Sequence, residues 1–135
     1  MVKEFAVPFH WRNFKERYQF IGSKCGHCGE HFYPKREICP KCRRTGKMEH
    51  VQFSGLGKVY SYTIIRAPPE GFKAYVPYVI AIVELEEGTK VLSQVVDCEP
   101  EDVKIGMDMQ MCFRKIRSEH DSGLVLYGFK FNPVK

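Results

Sequence analysis

Four cysteines define the clearest chemistry available to this chain. Cys25-Gly26-His27-Cys28 and Cys39-Pro40-Lys41-Cys42 are two Cys-x-x-Cys pairs, and the stretch Gly29 to Ile38 separates them. Two such turns, each carrying two soft thiolates, can place four sulfurs tetrahedrally at about 2.3 Å from one zinc ion. Glycines after the ligands, Gly26 and Gly29, let the backbone turn with positive φ and aim its N–H groups at sulfur. Four thiolates fill the shell, so the spacing predicts a structural zinc ribbon without the open position that Lewis-acid catalysis needs. His27 and His31 are nearby candidates for which this shell leaves no place. Iron in a rubredoxin-like site would satisfy the same geometry, but nothing in the sequence adds a redox partner, and zinc is the preferred ion. The remaining thiols, Cys98 and Cys112, sit beside strand-like residues and read as buried and reduced.

The elements that must hold this centre are short. Pro8 to Phe20 is helical in pattern: Phe9, Trp11, Phe14 and Tyr18 include the spacings i, i+5 and i+9 expected to share a flank, Pro8 suits the first turn and Gly22 the stop. This aromatic helix either packs on the rest of the chain or docks on a partner. The ribbon itself folds around a hairpin through His31-Phe32-Tyr33-Pro34. Beyond it the hydrophobic period changes from helical to two. Strands are expected at Lys58–Ile65, Tyr78–Glu86, Lys90–Val96, Met107–Ile116 and Leu124–Phe131, with a helical turn near Glu99–Val103. Five strands with that insertion predict a mainly β protein ending in a small Greek-key barrel of the OB type. A five-stranded sandwich has the same periodicity. The expected organisation is therefore an N-terminal helix over residues 1–23, a ribbon over 24–50 and a barrel over 51–135.

Two loops of such a barrel flank its usual binding face. The first, Arg66 to Pro77, is long for so compact a chain, and long ordered loops are often functional. Arg66 and Lys73 with Phe72 and Tyr75 suit a phosphate beside an adenine ring, and they suit a protein interface equally. The second, Arg117 to Gly123, reads as a polar turn in which His120 and Asp121 are solvated. No nucleophile beside a base and no paired carboxylates stand out. Ser54-Gly55-Leu56-Gly57 is too short for a phosphate loop and enters a strand, so its glycines read as a bend. Catalysis is not expected.

Charge divides unevenly. The net is +5 over 135 residues, but residues 1–50 hold 11 Lys/Arg against 5 Asp/Glu, a net of +6, and residues 51–135 hold 10 against 11, a net of −1. A basic front half attracts nucleic acid, phosphorylated cofactors or acidic protein surfaces. No apolar run approaches the roughly 18 residues of a membrane span. Met1 to His10 lacks the pattern of a signal peptide, so the expected location is cytoplasmic, where Cys-x-x-Cys pairs favour metal over disulfides.

The order of pieces carries a resemblance. Pro8-Phe9 opens the helix; Cys-Gly-x-Cys-Gly, Pro34-Lys35-Arg36 and Cys39-Pro40-x-Cys42 form the ribbon. Gly55-x-Gly57-x-Val59-x-Ser61-x-Thr63, Pro77-Tyr78, Val83-Glu84-Leu85, Gly88 and Ile105-Gly106-Met107 follow. Over roughly residues 8–115 the chain resembles the zinc-ribbon/OB-fold family of acyl-CoA-associated proteins, long catalogued as a domain of unknown function. The resemblance implies a non-catalytic companion of thiolase-like enzymes. In its archaeal form it implies a bridge between acetoacetyl-CoA thiolase and 3-hydroxy-3-methylglutaryl-CoA synthase, sharing a coenzyme A site and passing acetoacetyl-CoA toward mevalonate. Other members of that family accompany lipid- or steroid-degrading thiolases and hydratases. The four cysteines are the residues the resemblance carries over. A nucleic-acid-binding ribbon and barrel is the alternative, opposed by the slightly acidic barrel half.

Overall fold

The computed structural model describes residues 7–118 and 123–134. The chain divides into two compact units, Met1–Phe53 with Arg114–Gly128, and Ser54–Phe113 with Phe129–Lys135. Among the described residues no helix is long and apolar enough to cross a membrane.

The first unit starts with two short helices, α1 (Val7–Arg12) and α2 (Phe14–Gln19), in place of one continuous helix. The interruption is Asn13, whose side-chain amide donates to the Phe9 carbonyl at 3.0 Å, as does its own N–H at 3.3 Å. Such local bonding by a short polar side chain competes with the regular ladder. The helical segment stops at Phe20, which takes the left-handed conformation at φ 54, and not at Gly22. Gly22 has a different duty. It lies within strand β1 (Ile21–Cys25), where a Cβ would fall 2.5 Å from the Phe32 carbonyl and 2.6 Å from the Phe53 ring. Strands β2 (His31–Phe32) and β3 (Met48–Gln52) flank β1 antiparallel, with Ser23 opposite Phe32 and Cys25 opposite Met48. The small core of this unit is aromatic. Phe20 is 1% exposed, with Tyr33 at 5.0 Å and Phe53 edge-on at 5.7 Å.

The strands β4 (Leu56–Ile65), β5 (Tyr78–Leu85), β6 (Lys90–Val95), β7 (Asp108–Ser118) and β8 (Val125–Pro133) close a barrel in the order β4-β5-β6-β8-β7. Numbered within the barrel that is 1-2-3-5-4, the Greek-key order of an OB barrel. Antiparallel pairing joins β5 to β4 and β6, β4 returns to β7 at Gly57 opposite Met109, and one parallel pair, Val95 with Phe131, joins β6 to β8. The period of two places Ala81, Val83, Val91, Met109 and Phe131 inside, all under 5% exposed. A bulge between Val59 and Ser61 interrupts the β4 register, and Lys90 Nζ lies 3.4 Å above the Tyr60 ring. The expected turn near Glu99–Val103 is a single 3-10 turn at Pro100–Asp102. The expected polar turn with His120 and Asp121 falls outside the described residues. Cys98 and Cys112 are half-buried, more open than their surroundings in the sequence suggested. Burial, then Asp102, Asp97 and Glu99, raises the Cys98 thiol above its ordinary value.

Candidate metal centre

The four cysteine sulfurs converge. Cys25, Cys28, Cys39 and Cys42 bring their Sγ atoms within 4.8 Å of one another, with Cys28 and Cys39 at 3.7 Å. Sulfurs bound tetrahedrally at about 2.3 Å from zinc stand about 3.7–3.8 Å apart, whereas a disulfide requires about 2.05 Å. The donor set fits a metal ion and not a bridge.

Each pair is held by the same turn. The Gly29 N–H donates to the Cys25 carbonyl at 2.8 Å, and the Arg43 N–H to the Cys39 carbonyl at 2.8 Å. Both turns close on a left-handed residue, Gly29 at φ 75 and Arg43 at φ 51. The second turn therefore makes do without glycine, while Gly26, expected to share this role, does not take a positive φ. Cys25 closes β1 and pairs with Met48 of β3, so the sheet fixes one ligand directly. Gly46 backs the cluster, where a Cβ would meet the Cys39 Cβ at 2.9 Å, the Cys42 Cβ at 3.0 Å and the Cys25 Sγ at 3.2 Å.

The electrostatics of the sulfurs differ. The Cys28 N–H, opposed by burial and supported by the His27 N–H, holds the Cys25 thiol down to about 7. Burial and then the surrounding thiols push Cys42 up to about 12. A cation among the sulfurs would allow all four to ionise together, which is how such sites couple metal binding to proton release. His27 does not enter the ligand cluster; its Nδ1 lies 3.3 Å from the Cys42 sulfur. His31 is edge-on to the Phe53 ring at 6.0 Å. An ion pair of 2.9 Å between Lys41 and Glu30 links the second turn to the chain just after the first.

Beside the ribbon lies a second polar group that the helical pattern does not reveal. Glu16 falls between aromatics on α2 yet is 7% exposed. Lys35 Nζ stands 3.4 Å from its Oε1, a charge pairing without hydrogen-bond geometry. The Tyr33 hydroxyl donates to the Glu16 backbone carbonyl at 3.4 Å. The signal for this contact was Lys35 in Pro34-Lys35-Arg36, but only the fold brings it to α2.

Of the four residues considered for coenzyme A, the structure brings two together. Phe72 and Tyr75 are 6.2 Å apart, joined by a Tyr75 N–H to Phe72 carbonyl bond of 3.0 Å across the short 3-10 turn Lys73–Tyr75. Phe72 is half-buried against Tyr78 at 5.9 Å. Lys73 and Tyr75 are exposed, and Arg66 is exposed at the start of the same loop. Phe72 thus covers the barrel, and the other three remain open to solvent.

The profile described as "ChsH2, rubredoxin-like zinc ribbon domain" matches residues 12–49, and the one described as "ChsH2, C-terminal OB-fold domain" matches residues 50–114. A "DUF35 domain-containing scaffold protein" of Methanocaldococcus jannaschii is 47% identical over all of this chain and 96% of its own length. The "Benzoylsuccinyl-CoA thiolase subunit BbsA" of Geobacter metallireducens is 29% identical over 84% of this chain and 73% of its own. Among solved structures, "Ltp2-ChsH2(DUF35) aldolase" superposes with a TM-score of 0.68 at 29% identity over 98% of each chain.

Proposed function

This chain belongs to the DUF35 family of ChsH2-type zinc-ribbon and OB-fold proteins, and we propose on that premise that it is a non-catalytic scaffold for acyl-CoA enzymes. The partners in this proposal are acetoacetyl-CoA thiolase and 3-hydroxy-3-methylglutaryl-CoA synthase, which the chain bridges in the cytoplasm. The observation that carries the scaffold reading is the match, end to end, to a relative described as a scaffold protein. The likeness to a thiolase subunit supports acyl-CoA enzymes as the partner class.

The function is physical. Condensing two acetyl-CoA molecules to acetoacetyl-CoA is uphill, so rapid use of the product pulls the reaction forward. Holding the producing and consuming enzymes together raises the effective concentration of the intermediate. Zinc at Cys25, Cys28, Cys39 and Cys42 would supply the folding energy that a ribbon with so small a core lacks. In the proposed division of labour, residues 1–23 and 24–50 hold partners. Residues 51–135 contribute to the shared coenzyme A site, where exposed Arg66, Lys73 and Tyr75 meet phosphate and adenine and Phe72 supports the loop.

Cys39→Ser tests this. The variant is expected to lose zinc and release both enzymes, while each enzyme alone remains active. A metal-free complex that still passes acetoacetyl-CoA at the wild-type rate would overturn the structural role of zinc. A wild-type chain that binds neither enzyme would overturn the scaffold role.

A further inference from the structure

The net positive charge of the chain belongs to one unit. Met1–Phe53 with Arg114–Gly128 carries 14 Lys/Arg against 7 Asp/Glu, a net of +7; Ser54–Phe113 with Phe129–Lys135 carries 7 against 9, a net of −2. The same basic unit leaves a cluster of large apolar side chains in solvent. Trp11 is 77% exposed and Phe14 42% exposed, with their rings 6.2 Å apart, and Phe14 stacks on Tyr18 at 4.1 Å. The residues at the start of β8 face them. Between Trp11, Phe14 and Tyr18 on one side and Val125 and Tyr127 on the other lies a groove of about 240 Å³. Arg12 and Lys15 are exposed on the same two helices, and Arg17 lines the groove, donating to His10 Nδ1 at 2.6 Å.

The metal centre uses none of these residues. Clustered exposed aromatics beside arginine are the composition of interface hot spots. Aromatics with basic residues also suit stacked nucleic-acid bases. Here, however, one wall of the groove is formed by the run Leu124 to Tyr127, which carries no cation to meet a phosphate backbone. An apolar cleft lined by Arg17, on helices that also expose Arg12 and Lys15 within a unit of net charge +7, complements an apolar side chain presented within a ring of Asp and Glu.

We infer that the groove between α1–α2 and the start of β8 is the docking site for an acyl-CoA enzyme whose contacting face is an apolar knob in an acidic surround. This inference rests on the scaffold reading and adds to it the face that is used and the chemistry of the partner.

The test titrates the full-length, zinc-loaded chain against immobilised thiolase and, separately, immobilised 3-hydroxy-3-methylglutaryl-CoA synthase, both from the same organism. Trp11→Ala/Phe14→Ala is expected to keep its zinc and to bind one of the enzymes about thirtyfold more weakly or worse. Arg12→Glu/Lys15→Glu leaves the apolar groove intact and is expected to weaken the same complex and flatten its salt dependence. Should the aromatic variant fail to fold, the charge-reversed variant decides alone. Unchanged affinity of a folded aromatic variant for both enzymes overturns the inference and leaves the scaffold reading standing. A wild-type chain that binds neither enzyme removes both. Displacement of the bound enzyme by a single-stranded oligonucleotide, or self-association abolished by Trp11→Ala, would give the groove another occupant and overturn the inference.

Discussion

His27 and Tyr33 show how single side chains set the properties of the ribbon from outside the ligand set. The imidazole Nδ1 of His27, 3.3 Å from the Cys42 sulfur, is placed to donate to that ligand and steady it. Partners of this kind are worth about 10–100-fold in metal affinity. His27→Ala should therefore keep the ion but release it faster to a competing chelator, which a colorimetric zinc-transfer assay reads directly. Tyr33 acts through the core. Burial and then the Glu16 carboxylate raise its phenol well above the usual value. A raised folded pKa means stability that is complete below the unfolded pKa of about 10 and is lost as pH climbs above it. The thermal midpoint should fall on the alkaline side, and Tyr33→Phe should make that fall shallower. Equal slopes for the two proteins would show that Tyr33 does not titrate against folding.

At the scale of elements, α2 is tied to the ribbon by a buried carboxylate. Glu16 and Lys35 have side chains 9% and 33% exposed, so solvent screens one end of the pair more than the other. Lys35→Ala should cost about 1–3 kcal/mol by stranding the carboxylate, and adding Glu16→Gln should restore much of that. Additive losses in the double-mutant cycle would show that the two side chains do not interact. This contact also marks the limit of what the sequence discloses. The barrel strands were legible because runs such as Tyr78 to Leu85 are rich in β-branched residues and end at the Glu87-Gly88 turn, and the structure forms a strand there whose burial alternates through Val79, Ala81 and Val83. The four cysteines were legible because their spacing serves one geometry. The burial of Glu16 was not, since it depends on Lys35 arriving from another segment of chain. The break at Asn13 was not either, because a continuous helix and one bonded back to Phe9 share the same aromatic spacing. For the coenzyme A loop, composition located the cations, but only the fold shows Phe72 turned onto Tyr78.

Over the whole molecule, the two units draw on different sources of stability. The barrel buries an aliphatic core, whereas the ribbon has a few aromatics and four cysteines that would gain stability from a bound ion. Chelation should therefore split unfolding into two steps, with the ribbon's aromatic circular dichroism lost at a lower temperature than the barrel's β signal. One cooperative transition with and without chelator would contradict that separation. The division between the units also differs from the order of the chain. Arg114–Gly128, including the end of β7 and the start of β8, is grouped with the residues up to Phe53. A single genetic crossover near residue 53 would therefore transplant an incomplete unit and leave the donor's own wall of the groove behind. Exchange of whole units between related chains needs two joins, so grafts that carry residues 1–53 and 114–128 together should fold where grafts of 1–53 alone do not.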